Sequence, residues 1–349
     1  MGNYDFIGIG DIVTDAFIKL KEATIENPPN GEAGDGFKKL CMRFGDKIPY
    51  EEVTVVPAVG NSINATVAAS RLGLKSAVIT NIGDDYYGQE CLDVLKQEKI
   101  GAEFVKINKG KKTNYHYVLT FNAERTILIK HEEYDYSLPA SLMGLPAMQE
   151  GEPKCVYLSS LGENSLPFHL EIEKYLNEHP NIKVAFQPGT FQMKFGKGKL
   201  AGIYKRADLF FCNKEEAQRI LEIKEEDIKN LIAGIHALGP KIVSITDGPN
   251  GAYASDAKNI WFLPMYPDPK PPINRTGAGD AYSSTFTSAI IMGKSIKEAM
   301  MWGPINSMSV VQQTGARAGL LTKEKLEEYL KQAPDFYKPA RLSDRQEKI

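Results

Sequence analysis

The sequence has few cysteines and no excess of positive charge, and each shortage excludes a class of protein. Its 349 residues include only four cysteines, at 41, 91, 155 and 212, with no Cys-x-x-Cys pair. This spacing excludes the usual zinc-binding motifs and argues against a disulfide framework. The 42 Lys and Arg residues against 44 Asp and Glu residues leave a formal net charge of −2, which argues against a nucleic-acid-binding surface. We therefore expect a reduced protein whose partners are small molecules.

Long hydrophobic runs are also missing. The longest uncharged stretch, residues 300–316, is too short and too polar to span a bilayer. The N-terminus has no basic segment followed by an apolar run, so we predict no signal peptide, no membrane partner and a cytoplasmic location. Hydrophobic residues make up 42% of the chain and charged residues 25%, which excludes a disordered or fibrous protein.

What the sequence does contain is an alternation of short apolar runs with helix-period segments. Buried strands that alternate with helices predict an α/β fold whose mainly parallel sheet is covered on both faces. The predicted strands are 4–9, 76–81, 155–158, 183–186, 209–212, 242–246 and 252–254. The predicted helices are 64–72, 86–97, 168–177, 225–238, 277–292, 296–314 and 323–330.

Two segments interrupt this alternation. Residues 15–57 contain no crossover helix of ordinary length, and residues 102–131 are rich in β-formers with period-2 alternation. We predict that they form a small antiparallel sheet beside the main body, with the Pro- and Gly-containing stretch 27–36 as a surface loop. Residues 333–349 are polar and predict a C-terminal tail, either loose or strapped to the surface.

The most informative motif is Asn-Arg-Thr-Gly-Ala-Gly-Asp at 274–280, directly before a helical pattern. A Gly-Ala-Gly turn that opens a helix presents unpaired backbone N–H groups at the positive helix end, which suits a phosphoryl oxygen. Asp280, in the first turn, is placed to accept a proton from a substrate hydroxyl. The alternative is that Gly277 and Gly279 only form a tight loop and Asp280 only caps the helix.

Five further motifs accompany this one along the chain. They are Gly-Asp-Ile-Val-Thr-Asp at 10–15, Val-Gly-Asn-Ser-Ile-Asn at 59–64, Ile-Gly-Asp-Asp-Tyr-Tyr-Gly at 82–88, Asn-Lys-Glu-Glu at 213–216 and Thr-Asp-Gly-Pro-Asn-Gly at 246–251. In content and order, the six motifs resemble those of the ribokinase-like (PfkB) family of carbohydrate and nucleoside kinases. The resemblance extends from residue 7 to residue 330.

The resemblance implies a three-layer α/β/α fold with a small β-sheet lid, in one kinase domain over 1–332, and a homodimer formed through the lid. It implies transfer of the γ-phosphate of ATP, with Mg²⁺, to a primary hydroxyl of a sugar or nucleoside. Asp280 would be the base and the loop of Gly277, Ala278 and Gly279 the anion hole. The implied acceptor contacts are Asp15, Gly60, Asn61 and Asn64. The implied nucleotide contacts are Asn213, Thr246, Gly248, Gly251 and Asn306, with Glu216 near the metal.

Several of these residues also have a purely structural explanation. Glu216 suits the first turn of a helix, where the helix dipole favours a carboxylate. Asp15 is typical of a turn and Asn64 of a helix N-cap. Asn306 lies in a late helical segment, where a polar side chain also occurs between packed helices.

The chain departs from the family pattern at several positions. Asn274 replaces the usual Asp, and Arg275 replaces a small residue, which puts a monovalent cation site in doubt and offers Arg275 to the phosphates instead. Val59 replaces the first glycine of its motif. After the fourth core strand the chain reads Gln-Pro-Gly-Thr-Phe at 187–191, where many sugar kinases of the family carry Asp-x-Asn-x-Arg. This element is similar to that of some nucleoside kinases, so the acceptor is left open between sugar and nucleoside.

Three alternatives stay open at this point. Arg125 and Lys130 lie five residues apart on a predicted lid strand and so on opposite faces. One of them would suit the phosphate of a sugar-phosphate substrate, although both also suit a solvated sheet edge. A second alternative is a catalytically silent regulator that binds sugar or nucleotide. The third, a dehydrogenase, rests only on the Gly8/Gly10 pair. We expect His131 to be a surface residue.

Overall fold

The protein is built around one large twisted sheet, with a smaller sheet beside it. The computed structural model describes residues 4–26, 38–121, 124–143 and 151–344, and the predicted surface loop at 27–36 lies outside them. The strands in these ranges are β1 (Phe6–Ile9), β2 (Val13–Leu20), β3 (Thr24–Glu26), β4 (Lys39–Cys41), β5 (Tyr50–Val59), β6 (Ser76–Gly83), β7 (Val105–Asn108), β8 (Asn114–Phe121), β9 (Glu124–Leu128), β10 (Cys155–Leu158), β11 (Lys183–Phe186), β12 (Leu209–Asn213), β13 (Ile242–Thr246), β14 (Ala252–Ser255), β15 (Ile260–Leu263) and β16 (Ala340–Arg341).

Helices follow most of the central strands. They are α1 (Asn61–Arg71), α2 (Tyr86–Gln97), α3 (Ala140–Met143), α4 (Leu166–Glu178), α5 (Thr190–Lys199), α6 (Ala201–Arg206), α7 (Lys214–Leu221), α8 (Ile228–Ala237), α9 (Ala278–Ile291), α10 (Ile296–Val311) and α11 (Lys323–Lys331). In the described part of the chain, no helix has the length and apolar character needed to cross a membrane.

The large sheet has the order β16-β15-β14-β13-β12-β11-β10-β1-β6-β7. The seven strands from β13 to β7 run parallel, and β14, β15 and β16 add an antiparallel edge. Successive side chains of these strands face opposite layers. Phe6 and Tyr157 pack with α1, α9 and α10, whereas Ile7 and Leu158 pack with α4, α6 and α8. The predicted three-layer α/β/α arrangement is therefore confirmed.

The smaller sheet, called the lid sheet below, has the order β5-β2-β8-β9. The pairing of β2 with β8 is parallel, and the β2–β5 and β8–β9 pairings are antiparallel. It draws its strands from both segments that interrupt the sequence alternation. In the parallel pairing, Asp15 lies opposite His116.

The prediction that residues 102–131 belong entirely to the small sheet is wrong for their first part. Val105–Asn108 pairs in parallel with β6 and forms the edge of the large sheet. Its sequence, Val-Lys-Ile-Asn, alternates apolar and polar residues as a half-buried lid strand does, although Lys106 and Ile107 are both exposed. Periodicity therefore does not distinguish an edge strand of one sheet from a strand of the other.

The C-terminal segment is a strap in its described part, which ends at residue 344. Ala340–Arg341 pairs with β15 at the edge of the large sheet. Tyr337 is fully buried, and its hydroxyl donates a hydrogen bond to the carbonyl of Met301 at 2.7 Å. The segment is polar because its strand is an exposed edge strand, and the buried side chain of Tyr337 fixes it to the body of the protein.

Candidate active site

A cleft of about 1130 Å³ lies at the carboxyl ends of the parallel strands, between the lid sheet and the start of α9. This is where parallel α/β sheets generally bind ligands, because the connecting loops and helix N-termini converge there. Nearly all the residues proposed from the sequence line it: Asp15, Gly60, Asn61, Asn64, Asn213, Glu216, Thr246, Gly248, Gly251, Arg275, Gly277, Ala278, Gly279 and Asp280.

The Gly-Ala-Gly turn starts α9 inside this cleft. Gly277 is the N-cap residue and has φ 82°, in the left-handed region. A Cβ atom at this position would lie 2.6 Å from the Cα of Ala316, so glycine is required for both backbone and packing reasons. The N–H groups of the first helical turn have no intrahelical partners and carry the positive end of the helix dipole. The turn therefore has the geometry of an anion site.

Asp280 is buried at the base of this turn and is held by three side-chain amides. Asn61 Nδ2 donates to Oδ1 at 2.8 Å, Asn64 Nδ2 to Oδ2 at 2.8 Å and Gln187 Nε2 to Oδ1 at 3.0 Å. Burial raises the pKa of Asp280, whereas the three amides and the guanidinium of Arg125 lower it. The carboxylate is thus fixed in orientation, and the amides offset part of the rise in pKa that burial causes.

At the lid end of the cleft, buried oxygen atoms lack partners. Within the described residues, neither Oδ1 of Asp15 nor Oδ1 of Asn64 has a hydrogen bond. Gly60 has φ 115°, and a Cβ there would lie 2.5 Å from the carbonyl oxygen of Asp11, which brings the backbone close to this space. Buried oxygens without partners are costly unless a ligand supplies donors. The chemistry of this end therefore matches a ligand with hydroxyl groups.

The opposite end of the cleft is formed by the turn after β13. Thr246 ends that strand, Gly248 has φ 49° and Gly251 has φ 103°. A Cβ at Gly251 would collide with the carbonyl oxygen of Leu263. Arg275 also lines the cleft, within electrostatic range of both Asp268 and Arg125. Glycine-rich backbone beside a fixed cation suits a phosphorylated ligand.

Asn306 lies outside the cleft. It is fully buried between helices, where its Nδ2 donates to Thr285 Oγ1 at 2.7 Å and its Oδ1 accepts from the backbone N–H of Leu321 at 2.9 Å. Its amide is therefore used in helix packing, and this position does not support the predicted nucleotide contact. Its neighbours Ser307 and Met308 line the cleft instead.

Asn213 and Glu216 form a capping box at the start of α7. Asn213 Oδ1 accepts from the N–H of Glu216, and Glu216 Oε2 accepts from the N–H of Asn213, both at 2.8 Å. Burial, and to a smaller extent the charge of Asp280, raises the pKa of Glu216. Two carboxylates in one cleft suit a cation between them. The described residues contain no cluster of three or more Asp, Glu, His or Cys side chains able to hold a metal.

Asn274 uses its side chain within the turn. Its Oδ1 accepts a hydrogen bond from the N–H of Thr276 at 2.7 Å. This is the position at which the family resemblance implies a carboxylate beside a monovalent cation. A neutral amide that is already bonded to the backbone, next to the charged Arg275, is a poor ligand set for such an ion.

Several cleft residues are additional to those predicted. Gln187 contacts Asp280, and Arg125 projects from β9 into the cleft. The prediction that His131 is a surface residue is wrong, because its Nδ1 lies 2.7 Å from Oδ2 of the buried Asp11. His116 faces the same space from β8. The period-2 pattern around Arg125 could have predicted which face of the lid sheet its side chain occupies. No local pattern in the sequence indicated that the two histidines lie in the cleft.

Comparison with known proteins agrees with this arrangement. Residues 39–323 match the model of the pfkB family carbohydrate kinases. The chain is 24% identical to a ribokinase of Bacillus subtilis over 82% of this chain and 92% of that protein, and 24% identical to a nucleoside kinase of Methanothermobacter thermautotrophicus over 75% and 80%.

Solved structures share the fold. A nucleoside kinase of Methanocaldococcus jannaschii, described as an archaeal member of the ribokinase family, superposes with a TM-score of 0.72 at 19% identity, covering 95% of this chain and all of that one. A ribokinase of Arabidopsis thaliana complexed with ribose and ATP gives 0.72 at 16% identity, covering 95% and 99%. The chain therefore belongs to the pfkB family of carbohydrate kinases, and it is a sugar or nucleoside kinase.

Proposed function

We propose that this kinase transfers the γ-phosphate of ATP to a primary hydroxyl of a sugar or nucleoside, with Asp280 as the general base. The observation that carries the proposal is the placement of the Asp280 carboxylate. It is buried in the cleft, oriented by three amide donors and located in the first turn of α9 beside the Gly277–Gly279 loop. A base and an anion site side by side are what phosphoryl transfer to an alcohol requires.

In the proposed reaction, the acceptor hydroxyl donates its proton to Asp280 while its oxygen forms a bond to the γ-phosphorus. The bond between that phosphorus and the bridging oxygen breaks, and ADP leaves with the electron pair. The N–H groups of Gly279 and its neighbours stabilise the negative charge on the transferring group, together with the fixed positive charge of Arg275. Closure of the lid sheet would exclude water from the reacting atoms.

The two ends of the cleft divide the substrates between them. Asp15, Asn61, Asn64 and the backbone at Gly60 hold the acceptor in this proposal, because unpartnered oxygens lie at that end. Thr246, Gly248, Gly251 and Arg275 hold the nucleotide, and Asn213 and Glu216 would hold Mg²⁺ through water. When bound, the ion would neutralise phosphate charge. Asn306 acts only through the packing of α10.

The proposal is tested by ADP release from ATP and Mg²⁺ with ribose, fructose, adenosine, other nucleosides and fructose 6-phosphate as separate acceptors. At least one acceptor should stimulate release, and Asp280→Asn should lower kcat by about 10²–10⁴-fold, the usual contribution of a general base. The variant should unfold at a temperature close to that of the wild type. Wild-type turnover in a folded Asp280→Asn protein would exclude the mechanism.

Fructose 6-phosphate is included because Arg125 favours a second candidate function, that of a sugar-phosphate kinase. The guanidinium lines the cleft and lies within electrostatic range of Asp280 and Arg275. Preferential turnover of fructose 6-phosphate over fructose would support this alternative.

The homodimer through the lid sheet remains part of the proposal. It is supported by exposed apolar side chains on the outer strand β5, among them Tyr50, Val53 and Val55. An edge strand with such side chains is suited to pairing with a second copy. Light scattering of the wild type and of Val53→Lys measures whether the dimer exists and whether it uses this edge.

A further inference from the structure

Two histidines face each other at the acceptor end of the cleft. His116 comes from β8 and His131 from the segment after β9, and their ring centroids are 5.1 Å apart. The ring of Phe191 meets His131 edge to face, with centroids 5.4 Å apart. Neither histidine belongs to a motif that points to the kinase family, so their position needs a separate explanation.

The carboxylate of Asp11 holds His131 in place, and the hydroxyl of Tyr136 holds Asp11. Its Nδ1 lies 2.7 Å from Oδ2 of Asp11, and the hydroxyl of Tyr136 donates to both oxygens of Asp11 at 3.0 Å. Because Asp11 is buried and can only accept, Nδ1 of His131 carries the proton. Nε2 is then the ring nitrogen that carries the lone pair, and the side chain of His131 lines the cleft. Asp11 and Tyr136 thus fix the tautomer and direction of His131.

His116 is paired with Asp15 across the parallel strands β2 and β8. Its Nδ1 lies 3.6 Å from Oδ1 of Asp15, which is too long for a hydrogen bond. In the part of the chain that the structure describes, both His116 Nε2 and Asp15 Oδ1 are buried without a partner. Each residue is less than one-tenth exposed. Two adjacent buried polar atoms without partners indicate a ligand that completes them.

We infer that His116 and His131 are specificity-determining contacts for the acceptor and select a ring with adjacent secondary hydroxyls. Asp15 Oδ1, Asn64 Oδ1 and His131 Nε2 accept hydrogen bonds, so they require hydroxyl donors. His116 Nε2 completes the set beside Asp15. Asp11 and Tyr136 are positioning residues that act through His131. This inference rests on the proposed function, because it assigns the acceptor to this end of the cleft.

The inference predicts strong discrimination against acceptors that lack one hydroxyl. A site built to bond a hydroxyl leaves its own buried groups unpaired when that hydroxyl is missing. We expect the wild type to prefer ribose over 2-deoxyribose, or adenosine over 2′-deoxyadenosine, by at least about 10²-fold in kcat/KM. His131→Ala and His116→Ala should reduce that ratio to below about tenfold, mainly by raising KM for the hydroxylated acceptor, while KM for ATP is unchanged.

The test measures kcat and both KM values for these four acceptors, and their binding by calorimetry, in the wild type and in five variants. His131→Gln replaces the Nε2 acceptor with an amide oxygen acceptor and should restore part of the discrimination lost in His131→Ala. Tyr136→Phe should raise only the acceptor KM. His236→Ala is the matched control, because His236 bonds Pro240 and Ser255 away from the cleft.

The outcomes separate the inference from the proposed function. If ribose or adenosine is phosphorylated and the histidine variants keep the wild-type preference, the inference is overturned and the kinase assignment stands. The same holds if fructose or fructose 6-phosphate supports ADP release and the histidine variants keep the wild-type kcat/KM for that acceptor. If no acceptor binds and none releases ADP, both are overturned. If His236→Ala lost the preference for the hydroxylated acceptor as strongly as His116→Ala and His131→Ala do, that result would also contradict the inference.

Discussion

At the scale of single residues, the candidate site depends on Asp280, a carboxylate whose charged form is destabilised by burial. Burial raises the pKa of Asp280, and each amide that donates to it lowers that pKa again. The donors come from α1 and from the turn after β11, so they are far apart in the sequence. A hydrogen bond to a charged group contributes about 1.5–3 kcal/mol. Three such bonds are enough to offset much of the cost of burial.

The glycines of the Gly-Ala-Gly turn provide a matched pair of substitutions. Gly277→Ala should lower the free energy of unfolding by about 1–3 kcal/mol, because an L-residue is strained at φ 82° and its Cβ would meet Ala316. At Gly279, a Cβ would have only Gln187 Nε2 nearby, at 4.0 Å. Gly279→Ala should therefore keep wild-type stability but reduce kcat/KM for ATP, on the order of 10²-fold, by displacing the phosphate.

Denaturant unfolding and steady-state kinetics of the two variants check this pair. Equal stability of both variants would contradict the packing argument for Gly277. Wild-type kinetics in Gly279→Ala would contradict the assignment of the turn to the phosphate.

At the scale of elements, the lid sheet brings the cation of Arg125 within electrostatic range of Asp280, the proposed base. Arg125 on β9 lowers the pKa of Asp280, whereas Lys130 points away and pairs with Glu132 at 2.8 Å. The prediction that both residues lie on one lid strand is wrong, because β9 ends at Leu128 and Lys130 follows it. The lid therefore contributes the charge of Arg125 to the cleft, whereas Lys130 pairs with Glu132.

Replacing Arg125 should shift the pH dependence of turnover. Without the guanidinium, the charged form of Asp280 loses a stabilising interaction and its pKa rises further. Since the base acts when deprotonated, the acid limb of the kcat/KM profile should move to higher pH in Arg125→Ala and stay in place in Lys130→Ala. An unchanged acid limb in a folded Arg125→Ala protein would argue against coupling between the lid and the base.

At the scale of the whole molecule, the large sheet and its two helical layers supply the stability, and the cleft contributes little to it. Apolar side chains packed on both faces of the large sheet form the core, so we expect the fold to be stable without a bound ion. Chelation of Mg²⁺ by EDTA should therefore abolish ADP release and leave the thermal unfolding midpoint of the nucleotide-free protein unchanged. Scanning calorimetry with and without EDTA measures this. A fall of several degrees would indicate a structural metal.

The order of the elements was predictable because most core strands are short apolar runs, each buried on both faces by its neighbours. The edge strands were not: Val105–Asn108 has the pattern of a lid strand, and Ala340–Arg341 is too short and polar to be recognised. Which sheet such a strand joins depends on which neighbouring strand has an unpaired edge in the folded protein. The helix Thr190–Lys199 was also missed, since its glycines weaken the helical signal.

By itself, the sequence determined the α/β class, the family resemblance and most residues of the cleft, because turn glycines and first-turn carboxylates have local structural requirements. Only the tertiary structure decided the surroundings of Asn306, His116 and His131. The side-chain amide of Asn306 is hydrogen-bonded to Thr285 and to the backbone of Leu321. The ring of His131 is oriented by Asp11, which is 120 residues away in the sequence. These surroundings depend on partners that are distant in the chain, and a local sequence pattern does not identify such partners.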